Sequence, residues 1–212
     1  MGANEVVDAL RQRIVEHDLP PGSKLRETAL SQEFSISRPR LREAFGILEE
    51  RGLIERVPNQ GAIVARLSAE QAVALYNVRE VLEGLAVRLA TENAAPGTWD
   101  ALRDRFGDAG EQALKRNDLN FYADSVHQFR QFSFEKAGND VLSQTLDELY
   151  DRSRVLIRRL VLVPGRAAAG MQEHRRILDA MISGDAIAAE QLKRENLRSA
   201  RRWFCDYRSY LL

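Results

Sequence analysis

The chain has little that is chemically conspicuous. Its 212 residues include one cysteine and three histidines, and 31 Lys and Arg are matched by 31 Asp and Glu. A lone cysteine, Cys205, excludes an intrachain disulfide and fits a reducing, cytoplasmic location. No stretch approaches the roughly 18 consecutive apolar residues of a membrane span. The opening Met-Gly-Ala-Asn-Glu lacks the charged-then-apolar layout of a secretory signal. Zero net charge argues against a protein that coats nucleic acid indiscriminately, which would be strongly basic. No Ser-His-Asp or Cys-His arrangement and no phosphate-cradling glycine loop is visible. An enzyme is therefore not expected, and no cofactor is implied. No internal repeat or low-complexity segment stands out.

What is present is arginine in an unusual place. Ser35-Ile-Ser-Arg-Pro-Arg-Leu-Arg-Glu-Ala-Phe-Gly-Ile-Leu48 reads as a turn followed by a helix, with Ser37 as its cap. Leu41, Phe45 and Leu48 supply a buried stripe at helical spacing. Arg38, Arg40 and Arg42 crowd the first turn and a half, where cations oppose the helix dipole. They do not serve the helix's own stability, so an anionic partner is expected, and duplex DNA fits best.

The neighbouring elements agree. Val6, Leu10 and Ile14 mark a first helix ending near His17, a histidine read as a charge complement to that helix end. Leu30 and Phe34 mark a second, Ser35-Ile36 a turn, and residues 38–51 a third that stops at Gly52. Leu53-Ile-Glu-Arg-Val57 and Ala62-Ile-Val-Ala65 read as two strands around Pro58-Asn-Gln-Gly61. Three helices and a hairpin predict a winged helix-turn-helix with a two-stranded wing over residues 1–67. That segment holds ten basic and ten acidic residues. Affinity for DNA must then come from placement, with Glu5, Asp8, Glu49 and Glu50 turned away.

From Ser68 to the end, residues 68–212 read as helices. Ser68-Ala-Glu-Gln71 is a capping box opening a long helix through Leu75, Val78, Leu82, Leu85 and Leu89. A second runs from Thr98 to about Arg116. Asp118 caps a third, carrying Phe121, Val126, Phe129 and Phe132 to Gly138-Asn139. A fourth covers 140–163, a fifth about 167–183, and Asp185 caps the last. Six helices without strands predict an all-helical antiparallel bundle, whose centre is a natural ligand site. The linker of residues 65–68 is short enough for one domain to feel motion in the other.

Residues 5–67 resemble the DNA-binding domain of the GntR family of bacterial transcription regulators. The resemblance is carried by Leu19-Pro-Pro-Gly-Ser-Lys-Leu25, the Glu27–Phe34 helix, Ser37-Arg38, Leu41-Arg-Glu-Ala44, Gly52-Leu53, Gly61 and Val64. It implies that Arg38 and Arg42 contact the operator and that the wing glycine Gly61 approaches the minor groove. Pro39-Arg40 replaces the family's Thr-Pro, so the operator sequence does not carry over. With Thr28 and Gln60, the expected DNA-contacting set is Arg38, Arg40, Arg42, Thr28, Gln60 and Gly61. Residues 70–205 resemble the FCD ligand-sensing domain of the FadR subgroup through Tyr76-Asn-Val-Arg-Glu-Val-Leu-Glu83, Asn117-Asp118, Ala137-Gly-Asn139, Glu173-His-Arg-Arg-Ile177 and Gly184-Asp185. The resemblance implies a homodimer, usually a repressor, that answers to a small carboxylate.

Many such domains hold a divalent ion with one aspartate and three histidines. Here those positions fall on Val126, Arg130, His174 and Asn196, leaving one ligand of four, so no metal is expected. A shifted site through Asp124 and His127 would point away from the pocket. Arg130 then stands where the ion's charge would be, and a guanidinium pairs well with carboxylate or phosphate. The expected ligand set is Arg130, His174, Asn196 and Arg79, for a small carboxylate or phosphate-bearing metabolite. The plainer alternatives are that Arg130 pairs with Glu83, that Arg79 and Glu83 form an i,i+4 ion pair, and that the domain only dimerises on DNA. An enzyme fused to a DNA-binding domain is the remote one, with His174 as its sole acid–base candidate. Arg152, Arg154, Arg158 and Arg159 read as a solvated face, Cys205 as a small core residue, and Trp203, Phe204, Tyr207 and Tyr210 as packing or interface.

Overall fold

A computed structural model describes residues 2–16, 18–58 and 60–211, apart from the side chain of residue 155. The role read for His17 and the Asn59 corner of the wing lie outside the described residues. Two compact units emerge. One comprises residues 1–68 with residues 150–155, and the other residues 69–149 and 156–212.

The first unit opens with α1 (Ala3–Val15), β1 (Lys24–Leu25), α2 (Glu27–Glu33) and α3 (Arg38–Glu50), then β2 (Ile54–Val57) and β3 (Gly61–Val64). Leu10 of α1, Leu41, Phe45 and Leu48 of α3, and Ile54 of β2 are almost wholly buried in one apolar cluster. Burying each such side chain contributes about 1.5–3 kcal/mol. This is the winged helix-turn-helix. The wing differs from expectation in having three strands, ordered β1-β3-β2 and antiparallel throughout. Lys24 pairs with Ile63 and Leu25 with Ala62, while Ile54 pairs with Val64 and Val57 with Gly61. Two residues are too few to show a strand period, which is why β1 is invisible in the sequence.

Ser37 holds the N-cap position of α3 in extended backbone, but its side chain makes no capping bond. A cap oxygen bonds the N–H of the second or third helical residue. The second here is Pro39, which has none. Ser35 (φ 52°) takes the left-handed conformation that turns α2 into α3.

The second unit has seven helices among the described residues: α4 (Ala69–Asn93), α5 (Asp100–Phe106), α6 (Asp108–Lys115), α7 (Leu119–Ala137), α8 (Asp140–Val161), α9 (Arg166–Ile182) and α10 (Ala186–Leu211). The single helix expected from Thr98 to Arg116 is broken at Gly107. A Cβ there would lie 2.9 Å from the Arg103 carbonyl oxygen. The caps expected of Asp118 and Asp185 form: their carboxylates accept the N–H groups of Phe121 (3.0 Å) and Ala188 (2.9 Å). Asn139 caps α8 in the same way, through the Leu142 N–H at 3.0 Å. Helices α4 and α10 pack along each other, with α7 against α4 and α9 against α10. No helix among the described residues is long and apolar enough to cross a membrane.

Gly170 on α9 is where backbone and ring come closest. An added Cβ would overlap the Tyr122 hydroxyl and lie 2.8 Å from its ring carbon. Gly170→Ala is expected to destabilise the bundle by about 1–3 kcal/mol through overpacking, and Tyr122→Phe in the same chain to recover part of that. Urea unfolding checks both; an unchanged midpoint in Gly170→Ala would contradict the packing.

Candidate functional site

Two constellations carry chemistry. At the start of α3, Arg38, Arg40 and Arg42 are all exposed. The first turn of α2 holds two of them in place. The Arg38 guanidinium donates to the Thr28 hydroxyl at 3.3 Å, and Arg42 Nε donates to the Glu27 carboxylate at 3.0 Å. Glu27 is the member that the sequence did not single out. Gln60 and Gly61 are exposed on the wing, where Gly61 (φ 81°) takes a conformation that favours glycine. Of the acids expected to face away, Glu49 pairs with Arg56 at 3.0 Å and Glu5 accepts from the Gly2 N–H.

The second constellation lies inside the bundle, where α4, α7, α9 and α10 converge. Arg79 Nε meets Glu83 Oε1 at 2.8 Å, the expected i,i+4 pair. The other Glu83 oxygen meets Lys193 Nζ at 3.0 Å. Lys193 also donates to Asn196 Oδ1 at 3.3 Å, and Asn196 Nδ2 donates to Glu173 at 2.7 Å. Glu173 further accepts from Ser199 (2.6 Å) and pairs with Arg166 (3.1 Å). Only one orientation of the Asn196 amide serves both neighbours, oxygen to the ammonium and N–H to the carboxylate. The result is one bonded chain, Arg79–Glu83–Lys193–Asn196–Glu173–Arg166. It sets three cations against two carboxylates, and all of these charged side chains except Glu173 are less than one-tenth exposed.

His174 lies in an aromatic box beside this chain. Its ring stacks on Phe106 with centroids 4.9 Å apart, and Phe129 and Tyr122 meet it edge-on. Nδ1 donates to the Gly170 carbonyl at 2.8 Å, and the buried Nε2 has no hydrogen-bond partner among the described residues. Burial first, then the charges of Lys193 and Arg166, push the His174 pKa down to about 3. Burial likewise pushes Tyr122 up to about 12 and lowers Lys193 against the pull of Glu83.

The structure thus joins His174, Asn196 and Arg79 in one centre. Arg130 is not among the described contacts of that group. It is half-buried, with Nη2 at 3.1 Å from His127 Nδ1 on its own helix. The α7 side chains against His174 are Tyr122 and Phe129, the latter about 100° round the helix from Arg130. Glu83, proposed as an alternative partner for Arg130, is engaged by Arg79 and Lys193. Lys193, Glu173, Arg166 and Ser199 were missed, although Lys193 and Asn196 share a face at i,i+3. Cys205 is exposed rather than a core residue, because it falls on the outer side of α10, next to the fully buried Phe204.

The FCD domain model matches residues 74–199, and the model for bacterial regulatory proteins of the gntR family matches residues 3–64. The chain belongs to the GntR family. Curated relatives agree along nearly the whole length. A probable D-xylose utilization operon transcriptional repressor of Paenarthrobacter nicotinovorans is 29% identical over 189 residues, covering 89% of this chain and 82% of the relative. The Escherichia coli transcriptional repressor RspR is 26% identical over 197 residues, covering 92% and 85%. Among solved structures, E. coli McbR/YncC superposes with a TM-score of 0.76 over 98% of both chains at 20% identity, a likeness of fold. This is a DNA-binding transcription regulator with an FCD domain.

The divalent ion found in many FCD domains does not fit the residues present. Val126 offers no donor, Arg130 is a cation and Lys193 adds a second, so His174 Nε2 would be a lone ligand. Asp124 is exposed and His127 is bonded to Arg130. Among the described residues no group of three or more His, Cys, Asp or Glu side chains is placed to hold a metal.

The depressed His174 pKa makes folding pH-dependent. The unfolded imidazole, near 6.5, binds a proton that the folded one refuses until about 3, so stability is full above 6.5 and falls as pH drops through that window. Between about pH 7.5 and about pH 5 the loss from this residue should be about 2 kcal/mol. His174→Phe should remove that component, as read from urea unfolding at the two pH values. An equal drop in wild type and variant would contradict it.

Proposed function

We propose that this GntR-family regulator binds its operator as a homodimer through residues 1–67, and that a small carboxylate or phosphate held in residues 68–212 modulates that binding in the cytoplasm. Arg38, Arg40 and Arg42, with Thr28, Gln60 and Gly61, make the DNA contacts. A repressor is the favoured sense, supported by two relatives named as repressors. The observation that carries the effector reading is the buried surplus of cation over carboxylate in the chain from Arg79 to Arg166. Buried charges demand pairing, and an incoming anion would match the third cation of the described chain with a third negative charge. Arg79, Lys193, His174 and Asn196 form the receiving face. Arg130, expected on this face, has a buried Nε and its Nη2 beside His127, while Lys193 and Arg79 are the cations that the ion pairs place at the centre. The competing reading is a ligand-independent DNA-binding dimer. It draws on the same ion pairs, since each of the three cations has a carboxylate partner.

Arg42→Ala is expected to weaken operator binding by about 1–3 kcal/mol if Arg42 reads a base. A phosphate contact would instead lower affinity alike for all sequences and flatten the salt dependence. Fluorescence anisotropy on a selected operator separates the two, and unchanged affinity in a folded Arg38→Ala, Arg40→Ala, Arg42→Ala variant would overturn the assignment. A single winged helix reads few base pairs, so sedimentation at micromolar concentration should show a dimer. A monomer that binds a palindrome at full affinity would contradict it.

A further inference from the structure

His174 restricts what the effector can be. We propose, resting on the effector reading above, that the bundle centre selects an oxyanion bearing an O–H of its own, which donates a hydrogen bond to His174 Nε2.

The tautomer follows from geometry. The partner of Nδ1 is the Gly170 carbonyl at 2.8 Å, which can only accept, so Nδ1 carries the hydrogen. In a neutral ring Nε2 is then a bare lone pair. Lys193 and Arg166 disfavour a second proton on the ring. That lone pair is buried and has no partner among the described residues. Nor can the ring turn to find one, because Phe106 covers one face and Phe129 and Tyr122 close on it edge-first.

Two demands meet around Phe129, whose ring centroid lies 5.2 Å from that of His174 and 5.4 Å from Lys193 Nζ. The surplus cation asks for negative charge, and Nε2 asks for a donor. Lys193 is the member able to adjust. Its ammonium is on a flexible four-carbon stem, and its bond to Asn196 is long at 3.3 Å. An oxyanion arriving at Lys193 without a hydrogen would turn one of its own lone pairs toward Nε2, leaving the acceptor unpaired and adding repulsion. Hydrogen phosphate carries a P–O–H, and a 2-hydroxy acid carries an alcohol beside its carboxylate; either meets both demands. Sulfate at neutral pH and simple alkanoates meet only the first. Sites that are built around a buried polar group reject analogues lacking the matching hydrogen-bond partner far more strongly than size alone permits.

Isothermal titration of the full chain at neutral pH and constant ionic strength tests this with four probes: phosphate against sulfate, and glycolate against acetate. The expected result is a Kd at least tenfold lower for phosphate than for sulfate, for glycolate than for acetate, or in both pairs. Which pair shows it distinguishes a phosphate from a hydroxy-acid effector. His174→Phe keeps the aromatic stack and should bring the members of the responding pair together. Should that variant not fold, the nitrogen-15 imidazole spectrum of the wild-type protein decides: the His174 Nε2 resonance should shift with phosphate or glycolate and stay with sulfate and acetate. Equal affinity for all four probes overturns the proposal while leaving an anion effector standing. A preference that survives His174→Phe, or an unmoved Nε2 resonance on binding, overturns the role of His174. Binding of none of the four at millimolar concentration removes the anion reading and this proposal with it.

Discussion

Glu83 sits at the centre of the bundle with its side chain 1% exposed, and both of its oxygens are engaged by cations that are themselves buried. A carboxylate taken out of water at such a position is tolerable only when paired, since the desolvation cost is several kcal/mol per ion. Much of the surrounding architecture follows from that constraint. Arg79 lies one turn earlier on α4 and Lys193 comes from α10, so the charge ties together the two longest helices. Lys193 reaches Asn196, and Asn196 passes the chain to Glu173 and Arg166 on α9. Apolar side chains would fill the space at less cost. Buried ion chains add little net stability over well-packed apolar side chains of the same volume.

The DNA-facing unit solves a different electrostatic problem. With ten basic and ten acidic residues in its first 67, it has no overall attraction for DNA to rely on. Three exposed arginines at one helix end concentrate positive charge where a groove would be entered. Glu27 and Thr28 hold two of those side chains across the α2–α3 corner. Placement replaces quantity, which suits selective binding better than coating.

Legibility in the sequence tracked the physical range of the interaction. Elements defined by local periodicity and capping could be read directly: the Leu41, Phe45, Leu48 stripe of α3, and the caps by Asp118 and Asp185. Features set by tertiary contact could not. Strand β1 exists only because β3 lies beside it. The break at Gly107 within the helix expected from Thr98 to Arg116 depends on the Arg103 carbonyl, 2.9 Å from where a Cβ would go. At the centre, the i,i+4 pair of Arg79 and Glu83 was visible because it is local. The reach of Lys193 to Glu83 spans 110 positions and was not. Placing Arg130 inward relied on the resemblance to metal-binding relatives. A rotation of one residue on α7 exchanges Arg130 for Phe129, and the apolar series of that helix, which includes Phe129, already favoured the phenyl ring.

If the charged centre reports to the DNA-binding unit, the two affinities must be linked reciprocally. The most direct measurement is the Kd of the oxyanion for the free protein and for the protein saturated with operator, set beside the operator Kd with and without saturating oxyanion. The account predicts that operator weakens oxyanion binding by the same factor by which oxyanion weakens operator binding, and that this factor exceeds one. A factor of one in both directions, with both ligands bound, would contradict it.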